Sequence, residues 1–180
     1  MRLASLVLLP LLALTACTSA VLPPLTVTSP AFAEGGSIPL SHTCDGRNVA
    51  PPLAIAGLPR GAKALGVIMR DLDAQGAPAV HWVMWNADKT ALSWAEDTLP
   101  AGALEAQNSA GFVGYSGPCR AIDKPHRYEF AVYAFDAPLQ LKAGAATAEI
   151  EKAFVEHALA KGTLTGLYGQ SLKAASGAVL

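Results

Sequence analysis

The stretch His126–Phe135, HRYEFAVYAF, decides the fold class of this chain, because aromatic and apolar residues of this kind are typical of a β-strand. Successive side chains of a strand point to opposite faces, so one face carries His126, Tyr128, Phe130, Val132 and Ala134. That face is polar at its first two positions and apolar at the rest. We therefore expect a strand that begins at a polar sheet edge and continues into a core.

Two stretches upstream are also predicted to be strands. Residues 64–69, ALGVIM, are almost continuously apolar, as expected for a strand buried on both faces. Residues 80–86, VHWVMWN, are rich in aromatic side chains. Their alternation predicts His81, Val83 and Trp85 on one face, and Trp82, Met84 and Asn86 on the other. Glycine and proline recur between short apolar runs, so the domain is predicted to be mostly β.

One segment near the C-terminus is predicted to be a helix, residues 147–161, TAEIEKAFVEHALAK. Thr147 is a candidate N-cap, and Gly162 is a candidate for the residue that ends the helix. The buried stripe is expected to contain Ile150, Ala153, Phe154 and Ala158. The following residues, GTLTGLYG, are predicted to form a short last strand.

The N-terminus has the pattern of an export signal. Met1 and Arg2 precede an apolar run that is too short for a good membrane span. Residues 14–17, LTAC, resemble a bacterial lipobox, which implies cleavage before Cys17 and lipid attachment to it. This predicts a signal peptide over residues 1–16, a tether over 17–30 and a single domain over 31–180. The alternative is a soluble periplasmic or secreted protein without the anchor.

Charge and cysteine content narrow the location and the partners. A net charge of −1, with no Lys/Arg cluster, argues against a nucleic-acid-binding surface. No Asp follows Cys17, so nothing indicates retention at the inner membrane, and the periplasmic face of the outer membrane is favoured. In that oxidising compartment Cys44 and Cys119 are predicted to form a disulfide, with two buried free thiols as the alternative.

Polar residues follow or begin the predicted strands and suggest a shared site. Asp71 and Asp73 come after residues 64–69, His81 begins the second strand, and His126 and Tyr128 begin the third. If these ends converge, each histidine could hydrogen-bond an aspartate. The resulting pocket would be rimmed by Trp82, Tyr115 and Tyr128. It would hold an anion such as phosphate or acetate through His and hydroxyl donors and the backbone N–H groups around Gly117.

Other interpretations of these residues stay open. The two aspartates could be turn residues at the surface, and a single histidine is more often structural, which is the role expected for His157. Two Asp and two His could also bind Zn²⁺ or Mn²⁺ in a hydrolase, although no HxH or HExxH spacing is present. Ser116 lacks a GxSxG elbow, and a disulfide would remove the Cys119 thiolate. No catalytic residue, metal or cofactor is therefore assigned.

Taken in order, the motifs resemble those of the phosphatidylethanolamine-binding protein family, and within it the bacterial Raf-kinase-inhibitor-like branch. The motifs are TCDG, VIMRDLDA, HWVMWN, GYSGPC and PHRYEFAVYAFD, and the resemblance as a whole covers residues 25–169. The resemblance implies an antiparallel Greek-key β-sandwich with a few short helices and one helix near the C-terminus. It also implies a pocket for phosphate-like groups and phospholipid head groups, with no established catalytic role. The residues that match the family's pocket are Asp71, Asp73, His81, Gly117, Pro118, His126 and Tyr128.

The chain departs from the family pattern in two loops. The usual DPDAP is DLDAQGAP here, with Leu72 and Gln75 in place of prolines, and the usual proline pair after GPC is absent from GPCRAIDKP. Three functions are therefore considered: a lipid-anchored anion-binding protein, an inhibitor that acts on a protease- or kinase-like protein target, and a metal-dependent hydrolase. The first is favoured by the motifs.

Overall fold

The computed structural model describes residues 22–119, 124–142 and 144–169. These residues form two antiparallel sheets, one 3-10 helix (Leu40–His42) and one α-helix, α1 (Thr147–His157). The strands are β1 (Thr26–Thr28), β2 (Leu53–Ala56), β3 (Ala64–Asp71), β4 (Ala79–Asp88), β5 (Ser93–Trp94), β6 (Leu104–Glu105), β7 (His126–Phe135) and β8 (Ala158–Tyr168). The predicted mostly-β class with a helix near the C-terminus is confirmed. The Greek-key connections stay a prediction.

The larger sheet has the strand order β6-β4-β3-β7-β8, and both of its faces are buried. On one face, Met69 and Phe130 pack in the same cluster as Val27 and Ile55 of the smaller sheet, β1-β2-β5. On the other face, Ile68 and Ala131 pack against α1 in a cluster that contains Ile150 and Phe154. Burial on two sides explains why β3 is a continuous apolar run, as predicted.

The strand β7 has the bounds predicted from its sequence and positions the polar ends of its neighbours. It pairs with β3 from Ala64↔Phe135 to Asp71↔Tyr128, and with β8 so that His126 lies opposite Tyr168. Because all these pairs are antiparallel, the end of β3, the start of β7 and the end of β8 meet at one edge of the sheet. The start of β4 joins them through the pair Asp71↔Ala79.

A β-bulge in β4 changes the predicted face of His81. Met69 pairs with Trp82 and Arg70 pairs with Val80, so His81 is an extra residue without a partner in β3. Trp82 shares a face with Met84, as predicted, and this face packs on the smaller sheet. The ring of His81 contacts Tyr128 instead of lying in line with Val83. The predicted face of His81 was wrong because strict alternation does not hold through a bulge.

A second irregularity reverses the prediction for Asn86. This residue has a φ of 62° beside the register shift in β4. Its side-chain amide exchanges two hydrogen bonds with the backbone of Leu139, which packs in the cluster with α1. Asn86 therefore lies on the α1 side of the sheet, away from Trp82 and Met84.

The predicted helix is too long, because α1 ends at His157 and β8 starts at Ala158. Its N-cap is Ala146, without a side-chain hydrogen bond, so Thr147 does not cap it. Gly162 lies inside β8, where an added Cβ would be 2.3 Å from the carbonyl oxygen of Leu25. Tertiary pairing with β7 therefore overrides the helical pattern of residues 158–161. Ile150 and Phe154 are the residues of α1 that are buried.

The folded part of the chain begins before the predicted domain boundary at residue 31. Thr26–Thr28, within the predicted tether, pairs with β2, and Leu25 and Val27 are buried. The predicted signal peptide (1–16) and Cys17 lie outside the described residues. Within the described part of the chain, α1 and the 3-10 helix are too short and too polar to cross a membrane.

Candidate functional site

Asp71 and His126 form a closely bonded pair at the polar edge of the larger sheet. The Nδ1 atom of His126 lies 2.7 Å from Oδ2 of Asp71, and their side chains are 15% and 8% exposed. An ionised carboxylate only accepts hydrogen bonds, so Nδ1 is the donor. The other carboxylate oxygen, Oδ1, accepts the backbone N–H of Asp73 at 2.8 Å. Both oxygens of Asp71 are therefore occupied by groups of the protein.

His81 lies at the same edge but does not bond an aspartate, contrary to the prediction. Its Nδ1 is 2.8 Å from the carbonyl oxygen of Ser116, and Nδ1 donates because a carbonyl only accepts. The ring stands edge-on to Tyr128 with centroids 5.3 Å apart. The bulge sets this orientation, since it turns His81 towards β7. A neutral His81 therefore carries its proton on Nδ1 and none on Nε2.

Tyr128 is the most deeply buried of the polar residues in this group, at 2% exposure. Its hydroxyl lies 3.5 Å from the carbonyl oxygen of Cys119. Burial, and then the negative charge of Asp71, raises the pKa of Tyr128 well above its usual range. The phenol therefore stays protonated and can act as a hydrogen-bond donor at neutral pH.

Asp73 turns away from Asp71 and binds Arg127. Its carboxylate accepts hydrogen bonds from the backbone N–H, Nε and Nη2 of Arg127, each at 2.9 Å. These bonds hold the pKa of Asp73 well below its usual range. The two carboxylates were predicted to point the same way. That is wrong, because β3 ends at Asp71 and the chain turns at Leu72 and Asp73.

Residues 115–118, which we call the wall segment, pass beside His81 and are fixed to the loop that contains Cys44. The predicted disulfide Cys44–Cys119 is present. The backbone N–H of Gly117 donates to Oδ1 of Asn48 at 2.7 Å, and that of Ser116 donates to the carbonyl of His81 at 3.0 Å. These two N–H groups are therefore not available to an anion, which corrects the expectation for the Gly117 loop.

Gly117 is required by the packing of the wall segment. An added Cβ would lie 2.6 Å from the carbonyl oxygen of His42 and 2.8 Å from Oδ1 of Asn48. The carbonyl of Pro118 also accepts the backbone N–H of Cys44 at 2.9 Å. Gly117 and Pro118 thus shape the surface beside His81 by close backbone contact.

Trp82 and Tyr115 were expected to rim this group of residues, but they do not. They line a separate cavity of about 230 Å³ that contains Glu105, and none of the seven predicted pocket residues lines it. The imidazole of His81 instead borders a cavity of about 240 Å³ together with Ser109 and Ser116. The separation follows from their positions, because His81 and Trp82 are consecutive residues of β4 and their side chains point in different directions.

Two residues at this edge were not predicted from the sequence. Arg127 binds Asp73, and Tyr168 ends β8 opposite His126 and donates to Asp45 Oδ2 at 2.6 Å. Arg127 belongs to the quoted HRY motif, which is a signal that could have identified it. Only the pairing of β7 with β8 brings Tyr168 to this edge.

The described residues contain little that suits metal or nucleophilic chemistry. In residues 22–119, 124–142 and 144–169 no group of three or more His, Cys, Asp or Glu side chains is arranged to hold a metal ion. Cys119 is bonded to Cys44. His157, for which a structural role is predicted, is the last residue of α1. Its Nδ1 is hydrogen-bonded to Oδ1 of Asp136 at 2.9 Å.

Comparison with known proteins gives one family. The sequence profile described as phosphatidylethanolamine-binding protein matches residues 28–169. A UPF0098 protein of Methanothermobacter thermautotrophicus is 38% identical over 143 residues, which are 77% of this chain and 94% of that protein. LppC of Mycobacterium tuberculosis, named as a candidate lipoprotein, is 38% identical over 146 residues, 81% of this chain and 72% of LppC.

Solved structures agree with the sequence relatives. The phosphatidylethanolamine-binding protein homologue CT736 of Chlamydia trachomatis superposes with a TM-score of 0.76 at 32% identity, covering 82% of this chain and 99% of CT736. YbcL of Escherichia coli, described as a member of the mammalian PEBP family, superposes with a TM-score of 0.77 at 28% identity. The superposition covers 82% of this chain and 99% of YbcL.

Proposed function

Because this chain belongs to the phosphatidylethanolamine-binding protein family, we propose that its polar sheet edge binds a small anion, either a phosphate group, such as a phospholipid head group, or a carboxylate. The observation that carries the proposal is the meeting of His81, His126 and Tyr128 within one contact network. The proposed site comprises Asp71, Asp73, His81, Gly117, Pro118, His126 and Tyr128. No catalytic residue, metal or cofactor is assigned to it.

In this proposal His81 and Tyr128 are the donors to the anion, and Tyr128 redirects to it the single O–H that otherwise donates to the carbonyl of Cys119 at 3.5 Å. Tyr128 keeps its proton because burial raises its pKa. Nδ1 of His81 donates to Ser116, so Nε2 becomes a donor only when the ring takes up a second proton.

The two aspartates have positioning roles rather than direct contact with the anion. Asp71 fixes the ring of His126 and provides negative charge that a protonated imidazole offsets. Asp73 holds Arg127 and the turn after β3 through three hydrogen bonds. Replacing Asp71 should therefore weaken binding, because His126 would no longer be held beside the donor Tyr128.

We also propose that the protein is exported and anchored by lipid at Cys17, on the periplasmic face of a bacterial membrane. The support is the lipobox-like LTAC sequence, the relative LppC, and the disulfide Cys44–Cys119, which suits an oxidising compartment. Several acyl chains would give stable attachment to the membrane. The tether would then be shorter than predicted, because the folded domain already includes β1 at Thr26–Thr28.

Titration calorimetry with inorganic phosphate and with O-phosphoethanolamine tests the anion site. We expect His81→Ala to lower the affinity by about tenfold or more, because it removes one charged donor. His157→Ala, which changes a histidine outside the site, is the matched control and should bind as the wild type does. Wild-type affinity in both His81→Ala and Asp71→Ala would refute the assignment. Intact mass of the mature protein, with or without acyl chains, tests Cys17 separately.

A further inference from the structure

A second cavity lies on the other side of the wall segment and has the opposite charge. Its volume is about 230 Å³, and the residues that line it include two acidic ones, Asp97 and Glu105. Among the described residues that line it there is no Lys, Arg or His. We call it the acidic cavity. It lies outside the proposed anion site, since the two share no residue.

Glu105 is held in place before any ligand arrives. Its Oε1 accepts the indole N–H of Trp82 at 2.8 Å. Gly114 allows the carboxylate to lie against the chain, because a Cβ there would be 3.2 Å from Oε2, and its φ of 96° suits glycine. A carboxylate fixed in this way loses little conformational freedom on binding.

The walls of the cavity are also fixed by hydrogen bonds. Tyr115 stands edge-on to Trp82, with ring centroids 5.8 Å apart, and its hydroxyl donates to the carbonyl of His42 at 2.7 Å. Burial raises the pKa of Tyr115 well above its usual range, so this donor persists at neutral pH. The N–H of Asp97 donates to the carbonyl of Ala50 at 3.1 Å. The cavity is therefore preformed in the free protein.

The rim of the acidic cavity is apolar and exposed. Leu99 is 46% exposed and Val113 is 67% exposed, and both line the cavity. Exposed apolar side chains around a charged cavity form an apolar surface that a partner protein can bury. At protein interfaces, such contacts surround the pocket that takes the anchoring side chain.

We propose that the acidic cavity is a docking site for a partner protein, which inserts one Lys or Arg side chain against Asp97 and Glu105. Apolar residues beside that cation would pack on Leu99 and Val113. Charge complementarity favours a cation, and the volume favours a single side chain, since pockets for small molecules are usually about 300–1,000 Å³. The site is independent of anion binding and goes beyond that proposed function.

The test uses a blocked pentapeptide, Gly-Leu-Lys-Leu-Gly, and a control in which norleucine replaces lysine. The indole N–H signal of Trp82 in a ¹⁵N correlation spectrum reports binding, because that group is bonded to Glu105. Loss of the signal in Trp82→Phe assigns it. We expect a saturable shift with the lysine peptide, affinity at least about tenfold lower for the norleucine peptide, and weaker binding at high salt. Equal binding of the two peptides, or no shift with either, would overturn the proposal.

Variants locate the binding to the cavity. Glu105→Gln keeps an acceptor for Trp82 and should lower the affinity for the lysine peptide by about tenfold, because the charge is removed. Glu149→Gln, an exposed carboxylate on α1, is the control and should change nothing. Val113→Ser should weaken binding by about threefold through the rim. Wild-type affinity in Glu105→Gln excludes the cation site.

Two further outcomes separate this inference from other functions. Binding of n-butylamine as tight as that of the lysine peptide would show a small-molecule site and contradict a protein partner. Glu105→Gln should keep wild-type affinity for inorganic phosphate, since the two sites share no residue. Failure of phosphate binding in the wild type would end the proposed anion site but would leave the peptide result unaffected.

Discussion

His81 and Trp82 are consecutive residues of β4, yet they belong to two regions of opposite chemistry. His81 contacts Tyr128 at an edge that also contains His126, and Trp82 bonds Glu105 in the acidic cavity. Consecutive side chains of a strand point in different directions, and the bulge in addition turns His81 out of line with Val83 and towards Tyr128, because His81 has no partner in β3. One strand thus supplies neighbouring residues to a proposed anion site and to a proposed cation site.

The wall segment is shared by both regions. Tyr115 lines the acidic cavity, while the carbonyl of Ser116 fixes His81, and the disulfide Cys44–Cys119 follows directly. Changes in this segment should affect both regions, whereas changes beyond it should affect only one. This difference gives three tests of the comparison.

The largest expected effect is the loss of the disulfide. Replacing both Cys44 and Cys119 by Ser should lower the free energy of unfolding by about 4 kcal/mol, since the bond spans 75 residues and constrains the unfolded chain. Urea denaturation measures it. The variant should also weaken phosphate and peptide binding together. If only one of the two ligands is affected, the wall segment is not shared.

The next effect is expected from Gly117→Ala. The new Cβ would meet the carbonyl of His42 at 2.6 Å, which is backbone and cannot rotate away. We expect a loss of about 1–3 kcal/mol in the free energy of unfolding, measured in urea. Gly61→Ala is the matched control, because its Cβ would meet only the flexible end of Leu159 at 3.3 Å. Equal stability of the two variants would contradict the close packing described for the wall segment.

The smallest effect concerns Asp73. Its folded-state pKa lies below the ordinary value of 3.8, so the bonds to Arg127 stabilise the protein above about pH 4, and this contribution is lost as pH falls through the folded pKa. Wild-type stability should therefore decline more between pH 5 and pH 2 than that of Asp73→Asn. Urea midpoints across this range measure the decline. Parallel curves would show that the Arg127 contact adds no pH-dependent stability.

Local pattern was sufficient where one structural period dominated. The bounds of β7 were predicted correctly, and the continuous apolar run of β3 correctly indicated burial on both faces. The helix prediction overran by four residues, because residues 158–161 suit a helix locally but pair with β7 in the fold. The hydrophobic period of a segment does not show whether it forms a helix or pairs as a strand when both are possible.

The candidate site was predicted only as a set of residues, because its geometry depends on departures from regular structure. The sequence placed Asp71 and His126 at strand ends, and antiparallel pairing brings these ends together. The bulge at His81 and the turn at Asp73 do not appear in a pattern of alternation. As a result, the partners predicted for His81 and Asp73 were wrong.

The sequence by itself determined the mostly-β class, the family and the strand ends that carry polar residues, since these follow from composition, alternation and motif order. Tertiary structure alone decided where the side chains point. Whether Trp82 and Tyr115 rim the histidine site or line the acidic cavity depends on the pairing of β4 with β3 and on the wall segment fixed to the Cys44 loop. Both are long-range contacts, and their free energy depends on residues that are distant in the chain.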